Sequence, residues 1–317
     1  MSTTNAMSNP AASFQRYRGR LLGLSYRMLG SMADAEDAVQ ETYLRWHGVD
    51  REKVSDPKAF LMTTTTRICL DMLTSARARR EEYVGPWLPE PVVDTAALSP
   101  DSHTELAEDL SIALLLTLDR LSPLERGAFL LHDVFDFSFS EVATALERNE
   151  AACRQLAARA RAHVRAVRPR GATTTRPPSD KIDARHAQLM SAFLAATRSG
   201  DLQLLTQLLA TDVRVMADGG GKVPAAQNVL EGADRVAKFL CDVARKGWRE
   251  DFTVRFATIN GLPGVIVDGP EGLVQTAAFE IEGDVIGALY VVRNPDKLRH
   301  LAAALLPPSR VTTFNPS

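Results

Sequence analysis

The chain has 317 residues, 45% of them hydrophobic, and a formal net charge of −2. That is enough apolar content for two or three cored domains, and too even a charge balance for overall charge to announce a nucleic-acid partner. Cys69, Cys153 and Cys241 stand far apart with no Cys/His ligand spacing, which argues against a metal site and for a reducing compartment, the cytoplasm. No apolar run reaches the ~18–20 residues of a membrane helix, and the polar start lacks the apolar stretch of a signal peptide.

From Phe14 to about Arg80 the pattern is helical. Phe14, Tyr17, Leu21, Leu24 and Met28 fall on one face at three-and-four spacing, and Gly30 ends that helix. Ser31 is placed to cap a second helix, with Asp34, Glu36 and Asp37 in its first turns, where the helix dipole favours negative charge. "SDPKAF" opens a third, with Asp56 as cap and Pro57 at the first helical position. Then comes "YVGPWLPEP", residues 83 to 91. Pro86, Pro89 and Pro91 forbid helix yet keep the segment stiff, so Trp87 and Leu88 ride on an extended rod and need somewhere to bury themselves.

The stretch 92–101 reads as a loop, and helix returns from about Ser102. Ser122, Pro123 and Glu125 make a capping box, and Ser138 with Glu141 makes another. A tight turn near Arg148 and Asn149 joins a short helix to a longer one, the shape of a helix-turn-helix. Residues 168–181 are a Pro/Thr/Arg-rich linker that marks a domain boundary. Beyond it, 182–209 predicts two helices, "GADRVAKFLCDVARKG" a third, and "DVRVMAD", "DFTVRFATIN", "GVIVDG", "LVQTAAFEIEG" and "DVIGALYVV" read as strands. Helices followed by strands at hairpin spacing predict α+β with a curved antiparallel sheet.

The last helix of the helix-turn-helix carries Arg154, Arg159, Arg161, Arg165 and Arg168 against Glu150 at its start. In such a pair the second helix enters the major groove. Arg154 and Gln155 then stand where base edges are read and Arg159 and Arg161 where phosphates are held, each phosphate contact contributing roughly 0.9 to the salt slope. Arg77, Arg79 and Arg80 end the third helix. The dipole alone would favour them there, but two basic helix ends suit a bipartite DNA contact. The acid-rich "ADAEDAVQE" is either a polar helix face or a docking surface for a protein.

"ADAEDAVQETYLRW", "DPKAFLMTTTTRICLDMLTSARARR" and "LSPLERGAFLLHDVFDFSFSEVATALERNEAACRQLAARAR" resemble the two conserved domains of an extracytoplasmic-function sigma factor. "YVGPWLPEP", "DGGGK" at 218–222 and "NPDKL" at 294–298 resemble the signature segments of the subgroup with a fused C-terminal SnoaL-like domain. The resemblance runs from Phe14 to Leu298. It implies two all-α sigma domains and a C-terminal α+β cone: region 2 over 14–85, a proline-rich linker over 86–101, region 4 over 102–168, a linker over 169–181, a SnoaL-like regulatory domain over 182–303 and a flexible tail over 304–317.

The resemblance further implies core RNA polymerase and promoter DNA as partners. Asp37, Gln40 and Glu41 become polymerase contacts, the loop from Gly48 to Ser55 captures a flipped base, and the helix from Arg67 to Arg80 lies on the promoter element near the start site. The helix-turn-helix reads the more distant element. Basic residues of the family are absent where Met72 and Thr74 stand. The interdomain assignment takes Trp87, Leu88, Pro89, Glu90 and Pro91, the loop Asp218, Gly219, Gly220, Gly221 and Lys222, and Asn294, Pro295, Asp296, Lys297 and Leu298. Trp87 and Leu88 are expected to dock on the C-terminal domain; the alternative is that Trp87 only caps the preceding helical domain.

SnoaL-like relatives include isomerases and cyclases with an acid base in an apolar pocket, for which Asp218, Lys222, Asp268, Asp284 and His186 are the polar candidates here. Three consecutive glycines beside Asp218 suit a tight turn better than a held catalytic acid. The expectation is therefore no catalysis, no cofactor and no metal, with any ligand of the pocket unidentified. Two other readings stay open from the residues: a DNA-binding regulator that does not touch polymerase, and a SnoaL-type enzyme fused to a DNA-binding module.

Overall fold

The computed structural model of the protein describes residues 10–50, 53–81, 83–93, 111–167, 184–247 and 249–305, with the side chains of 10, 75–81, 167 and 303–305 left aside. Three helices come first: α1 (Pro10–Leu29), α2 (Met32–His47) and α3 (Pro57–Glu81). Ser31 caps α2 by accepting from the Asp34 amide at 3.1 Å, and Asp56 does the same for α3 through the Ala59 amide at 3.1 Å. The face of α1 chosen by spacing is the buried one, with Leu21, Leu24 and Met28 fully enclosed. α1 begins four residues earlier than its first core aromatic, Phe14.

The second helical unit holds α4 (Ile112–Asp119), α5 (Pro123–Phe129), a π-helical turn (Leu130–Val134), α6 (Phe139–Leu146) and α7 (Glu150–Val167). Both expected capping boxes are present, Ser122 with Glu125 and Ser138 with Glu141. α6 ends on Glu147 in the left-handed conformation (φ 54°), and Asn149 caps α7 by accepting from the Ala152 amide at 2.8 Å. One apolar cluster runs through both helical units. It joins Leu24, Met28, Leu61 and Ile68 of the first to Leu115, Leu118, Leu130, Leu131, Leu146 and Cys153 of the second.

The third unit comprises α8 (Ala184–Ser199), α9 (Leu202–Leu208), β1 (Leu209–Asp218), β2 (Leu230–Glu231), α10 (Ala233–Gly247), β3 (Thr253–Ile259), β4 (Leu262–Gly269), β5 (Gly272–Glu282), β6 (Val285–Val292) and α11 (Pro295–Leu305). Its sheet has the order β2-β1-β6-β5-β4-β3. The expected antiparallel sheet is in fact mixed, because β6 lies parallel to β1. β3 to β6 form a meander, while α10 carries the chain from the β1 side to the far edge, so the returning β6 reaches β1 with the same sense. The two-residue β2 and the helix α11 were not anticipated from the strand and helix pattern.

The two faces of this sheet have separate cores, as the period-two alternation requires. Val213, Val215, Val265, Val267, Phe279 and Leu289 pack with Met190, Phe193 and Leu205 of α8 and α9 on one face. Ile266, Ala278, Tyr290 and Val292 pack on the other with Leu298 and Leu301 of α11, with Leu88 and Val93, and with Ile112 of α4. The rod and the second helical unit thus share one platform.

Gly30 stands where the first unit meets the rod. Its φ is +70°, and a Cβ there would collide with the Trp87 ring. Gly200 has a similar φ, +73°, with nothing near its missing Cβ. Gly30→Ala should therefore lower stability by about 1–3 kcal/mol, measured by thermal unfolding, and clearly more than Gly200→Ala. Equal losses would mean that the ring does not bear on Gly30.

Candidate regulatory junction and nucleic-acid interface

Asp218 ends β1 and is wholly buried. Its Oδ1 accepts from the Tyr83 hydroxyl at 2.5 Å and the Gly220 amide at 3.0 Å; its Oδ2 accepts from the Leu88 amide at 2.8 Å and from Lys297 Nζ at 2.7 Å. Four donors meet the four lone-pair directions of a carboxylate. Lys297 Nζ also donates to the Leu88 carbonyl at 2.5 Å and lies 4.3 Å from the centre of the Trp87 ring and 4.9 Å from that of Tyr83. A buried ammonium is thus held by a carboxylate, a carbonyl and two aromatic faces.

Local sequence explains how these atoms arrive. Asn294 caps α11 by accepting from the Asp296 amide at 3.1 Å, Pro295 takes the first helical position where no amide is needed, and Lys297 then faces inward with Leu298 buried behind it. Asn294 also donates to the Tyr83 hydroxyl at 2.8 Å. In the glycine loop, Gly220 has φ +60° and lies so close to the Asn294 amide that a Cβ has no room. Lys222 closes the loop on Asp296.

The other end of the rod belongs to the first helical unit. The Glu90 amide donates to the Gly30 carbonyl at 2.9 Å, and the Tyr26 hydroxyl donates to the Glu90 carbonyl at 2.6 Å. The Glu90 carboxylate accepts from Ser31 Oγ at 2.9 Å and from the Met32 amide at 2.7 Å, so it caps the N-terminus of α2, where a negative charge is favoured. His300 of α11 stands 3.5 Å from the same carboxylate. Asn260, at the β3–β4 turn with φ 48°, donates to Tyr26 at 2.8 Å and pairs with both polar groups of the Val92 backbone.

Trp87 therefore meets both units: its ring lies on Gly30 of the first and on Lys297 of the third. Of the residues assigned to the junction from sequence, Trp87, Leu88, Glu90, Asp218, Gly220, Lys222, Asn294, Asp296 and Lys297 make the contacts just described. Pro89 and Pro91 are buried within the rod. Sequence reasoning missed Tyr26, Tyr83, Asn260 and His300. Only the Asn260-Gly261 dipeptide carries a local signal, that of a hairpin turn; a tyrosine's distant partner leaves none.

On α7, Cys153, Leu156, Ala157 and Ala160 are buried, and Gln155, Ala158 and Ala162 are exposed on the opposite side. Arg154, Arg159 and Arg161 flank that outward stripe, and each of these three is ion-paired within the protein. Arg154 meets Glu150 at 2.6 Å and lies 5.2 Å from the Phe139 ring; Arg159 meets Glu125 at 2.9 Å and Arg161 meets Asp133 at 2.6 Å. Although desolvation works against it, Glu125 is held below the usual carboxylate range by hydrogen bonds from Ser122 and by Arg159. On α2, Asp37 and Gln40 are exposed, and Glu41 is half-buried and paired with Arg45 at 2.9 Å. Arg77, Arg79 and Arg80 lie on the last turns of α3, and their side chains fall outside the described residues.

The family model for sigma-70 region 2 matches residues 13–79, and that for sigma-70 region 4 matches residues 111–164. The chain is 38% identical, over 90% of its length and 92% of the relative's, to the ECF RNA polymerase sigma factor SigJ of Mycobacterium tuberculosis. It is 31% identical to the probable ECF RNA polymerase sigma factor SigI of the same species, over 93% of this chain and 97% of that one. The chain belongs to the ECF RNA polymerase sigma factors. The crystal structure of M. tuberculosis SigJ matches with a TM-score of 0.70 at 33% identity, covering 91% of this chain and 98% of that one. The third unit is accordingly the fused C-terminal domain of a sigma factor, α1–α3 are its region 2 and α4–α7 its region 4.

The polar candidates for catalysis in this sigma factor's C-terminal domain are not assembled. Asp268 pairs with Arg255 at 2.8 Å, Asp284 pairs with Arg185 at the surface, and His186 is half-buried on α8. Asp218 is rigidly held, unlike the expectation for a glycine-flanked acid, but it is enclosed by the rod.

Removing one partner of the buried pair leaves the other charge uncompensated. Lys297→Met should cost about 3–5 kcal/mol, and in a double-mutant cycle with Asp218→Asn the two losses should be far from additive. Additive losses in denaturant unfolding would show that the pair is not coupled. Burial, followed by the bond to Asp218, raises the Tyr83 hydroxyl pKa. A raised folded value gives stability that is fully present below the unfolded tyrosine value, roughly pH 10, and is lost as pH climbs through the folded one. Tyr83→Phe should therefore flatten the alkaline limb of the stability–pH curve, and an unchanged limb would contradict this.

Proposed function

We propose that this sigma factor acts in the cytoplasm, docks core RNA polymerase through the exposed face of α2, and places α3 and α7 on two promoter elements while its own C-terminal domain sets its activity through the rod. The observation that carries the reading is the junction itself. The segment linking regions 2 and 4 is held at both ends, by the cap of α2 on one side and by Asp218 and Lys297 on the other. A change in the C-terminal domain therefore bears directly on the helix assigned to polymerase.

Asp37, Gln40 and Glu41 fit the docking role because they share one face of α2 with Leu44, which is 58% exposed. The loop from Gly48 to Ser55 takes the flipped base, and unpairing that base recovers part of its cost in such a pocket. On α7 the outward stripe of Gln155, Ala158 and Ala162 is smooth enough for close approach to a groove, with Gln155 reading a base edge. Arg154 stands beside Gln155 at the base edges, and Arg159 and Arg161 stand on the flanks, where phosphates lie. Arg154–Glu150 is an exposed pair of little net strength, while Glu125 and Asp133 are more enclosed but hold arginines that stay open to solvent, so DNA can compete for all three.

Added to core polymerase, the full chain should start transcripts from a promoter pool that core alone does not use. DNA binding without any transcript would instead favour a regulator that never touches polymerase. Within that system Arg159→Ala or Arg161→Ala should reduce the salt slope of promoter binding by roughly 0.9 each. Gln155→Ala should leave the slope intact and lower discrimination between sequences.

A further inference from the structure

Arg154 and Arg161 stand two helical turns apart on α7, a spacing that puts both on one side of the helix. Each is met there by a group from the same short stretch, the π-helical turn Leu130–Val134. Asp133 of that turn pairs with Arg161 at 2.6 Å. His132 of the turn reaches Arg154 through a ring. It stacks on Phe139, the first residue of α6, with centroids 3.9 Å apart and planes 29° from parallel, and the Arg154 guanidinium carbon lies 5.2 Å from the centre of the Phe139 ring.

Backbone bonds fix these rings. The His132 Nδ1 donates to the Phe137 carbonyl at 2.7 Å, and the Phe137 amide is in turn held by the Leu131 carbonyl at 2.9 Å. The turn closes where the Phe135 amide reaches the Leu130 carbonyl at 3.0 Å, one residue further along than an α-helical bond would run. Turns of this type are rare and often mark functional sites. The capping box of Ser138 and Glu141 sets the backbone from which Phe139 projects.

Glu150 and Phe139 hold Arg154 in different ways. The Glu150 carboxylate takes an N–H, the bond from Nη2 at 2.6 Å, and a base edge must displace it. An aromatic face attracts the cation through its quadrupole and takes no N–H. The planar fork of donors that matches the O6 and N7 acceptors of guanine thus stays available while the ring holds the cation in place. Released from the ring, the same cation can reach a phosphate, a contact that carries no sequence information.

We propose that His132 and Phe139 are positioning residues for promoter readout: the π-helical turn, through the Phe139 ring, holds the Arg154 guanidinium to a base edge, and guanine is the base whose acceptors fit it. This rests on the reading above in which α7 enters the major groove. His132 and Phe139 act through Arg154 and touch no base themselves.

The test challenges polymerase holoenzyme made with the full chain with a promoter pool randomised across the upstream element, and reads the preference for each base at each position by sequencing the bound fraction. Arg154→Ala should lower the preference for guanine at one position roughly tenfold, as for a lost bidentate contact. Phe139→Leu keeps an apolar side chain without a π face. It should lower the same preference by roughly two- to fivefold, change binding averaged over the pool little, and add nothing at that position once Arg154 is replaced by alanine. His132→Asn keeps a donor for the Phe137 carbonyl and loses the ring, so it should weaken the same preference, and Phe139→Tyr should retain it in full. Equal loss of binding to every sequence in Phe139→Leu, or effects of Phe139→Leu and Arg154→Ala that multiply, would overturn the proposal. An Arg154→Ala profile identical to that of the unaltered chain would sink the base-reading assignment itself, and the proposal with it.

Discussion

A carboxylate buried without charge compensation costs several kcal/mol, and Asp218 has no exposure at all. Everything at the junction follows from satisfying it. Lys297 must be there, so α11 must start at Pro295, behind the Asn294 cap, and turn its third residue inward. The Leu88 amide must be there, so the rod must pass over the end of β1. The Tyr83 hydroxyl fills the remaining direction, so the chain leaving α3 is fixed before the rod begins. One acid thereby sets the path of a segment that has no regular secondary structure of its own.

Prolines make that path affordable in entropy. A segment with three fixed φ angles loses less freedom on docking than an ordinary loop, and the amides it lacks are ones the junction does not use. Those it keeps are occupied: Leu88 on Asp218, Glu90 on Gly30, Val92 on Asn260. The Glu90 carboxylate then serves a helix it does not belong to. α2 has Ser31 as its own cap, but the Met32 amide goes to Glu90, so that helix is complete only while the rod is docked.

Much of this was legible in the residues, and the limit is physical. Caps and helix faces are local, and Ser31, Asp56, Ser122 and Ser138 stand where spacing put them. The rod's need for an apolar dock was readable because Trp87 and Leu88 have no neighbours to hide behind. The identities of Tyr26, Tyr83 and Asn260 as partners were not, since a hydrogen bond across more than two hundred residues leaves no periodic trace. The parallel β1–β6 pair was hidden for the same reason: each strand reads alike in either sense. The carboxylates that hold Arg159 and Arg161 come from α5 and the π-helical turn, and a basic helix face read by itself gives no hint of them.

Fusion changes what strength these contacts need. A separate partner must overcome the loss of translational and rotational freedom with every encounter, whereas a covalently attached domain meets its target at an effective concentration in the millimolar range. A contact too weak to hold two free proteins together can then keep a chain closed.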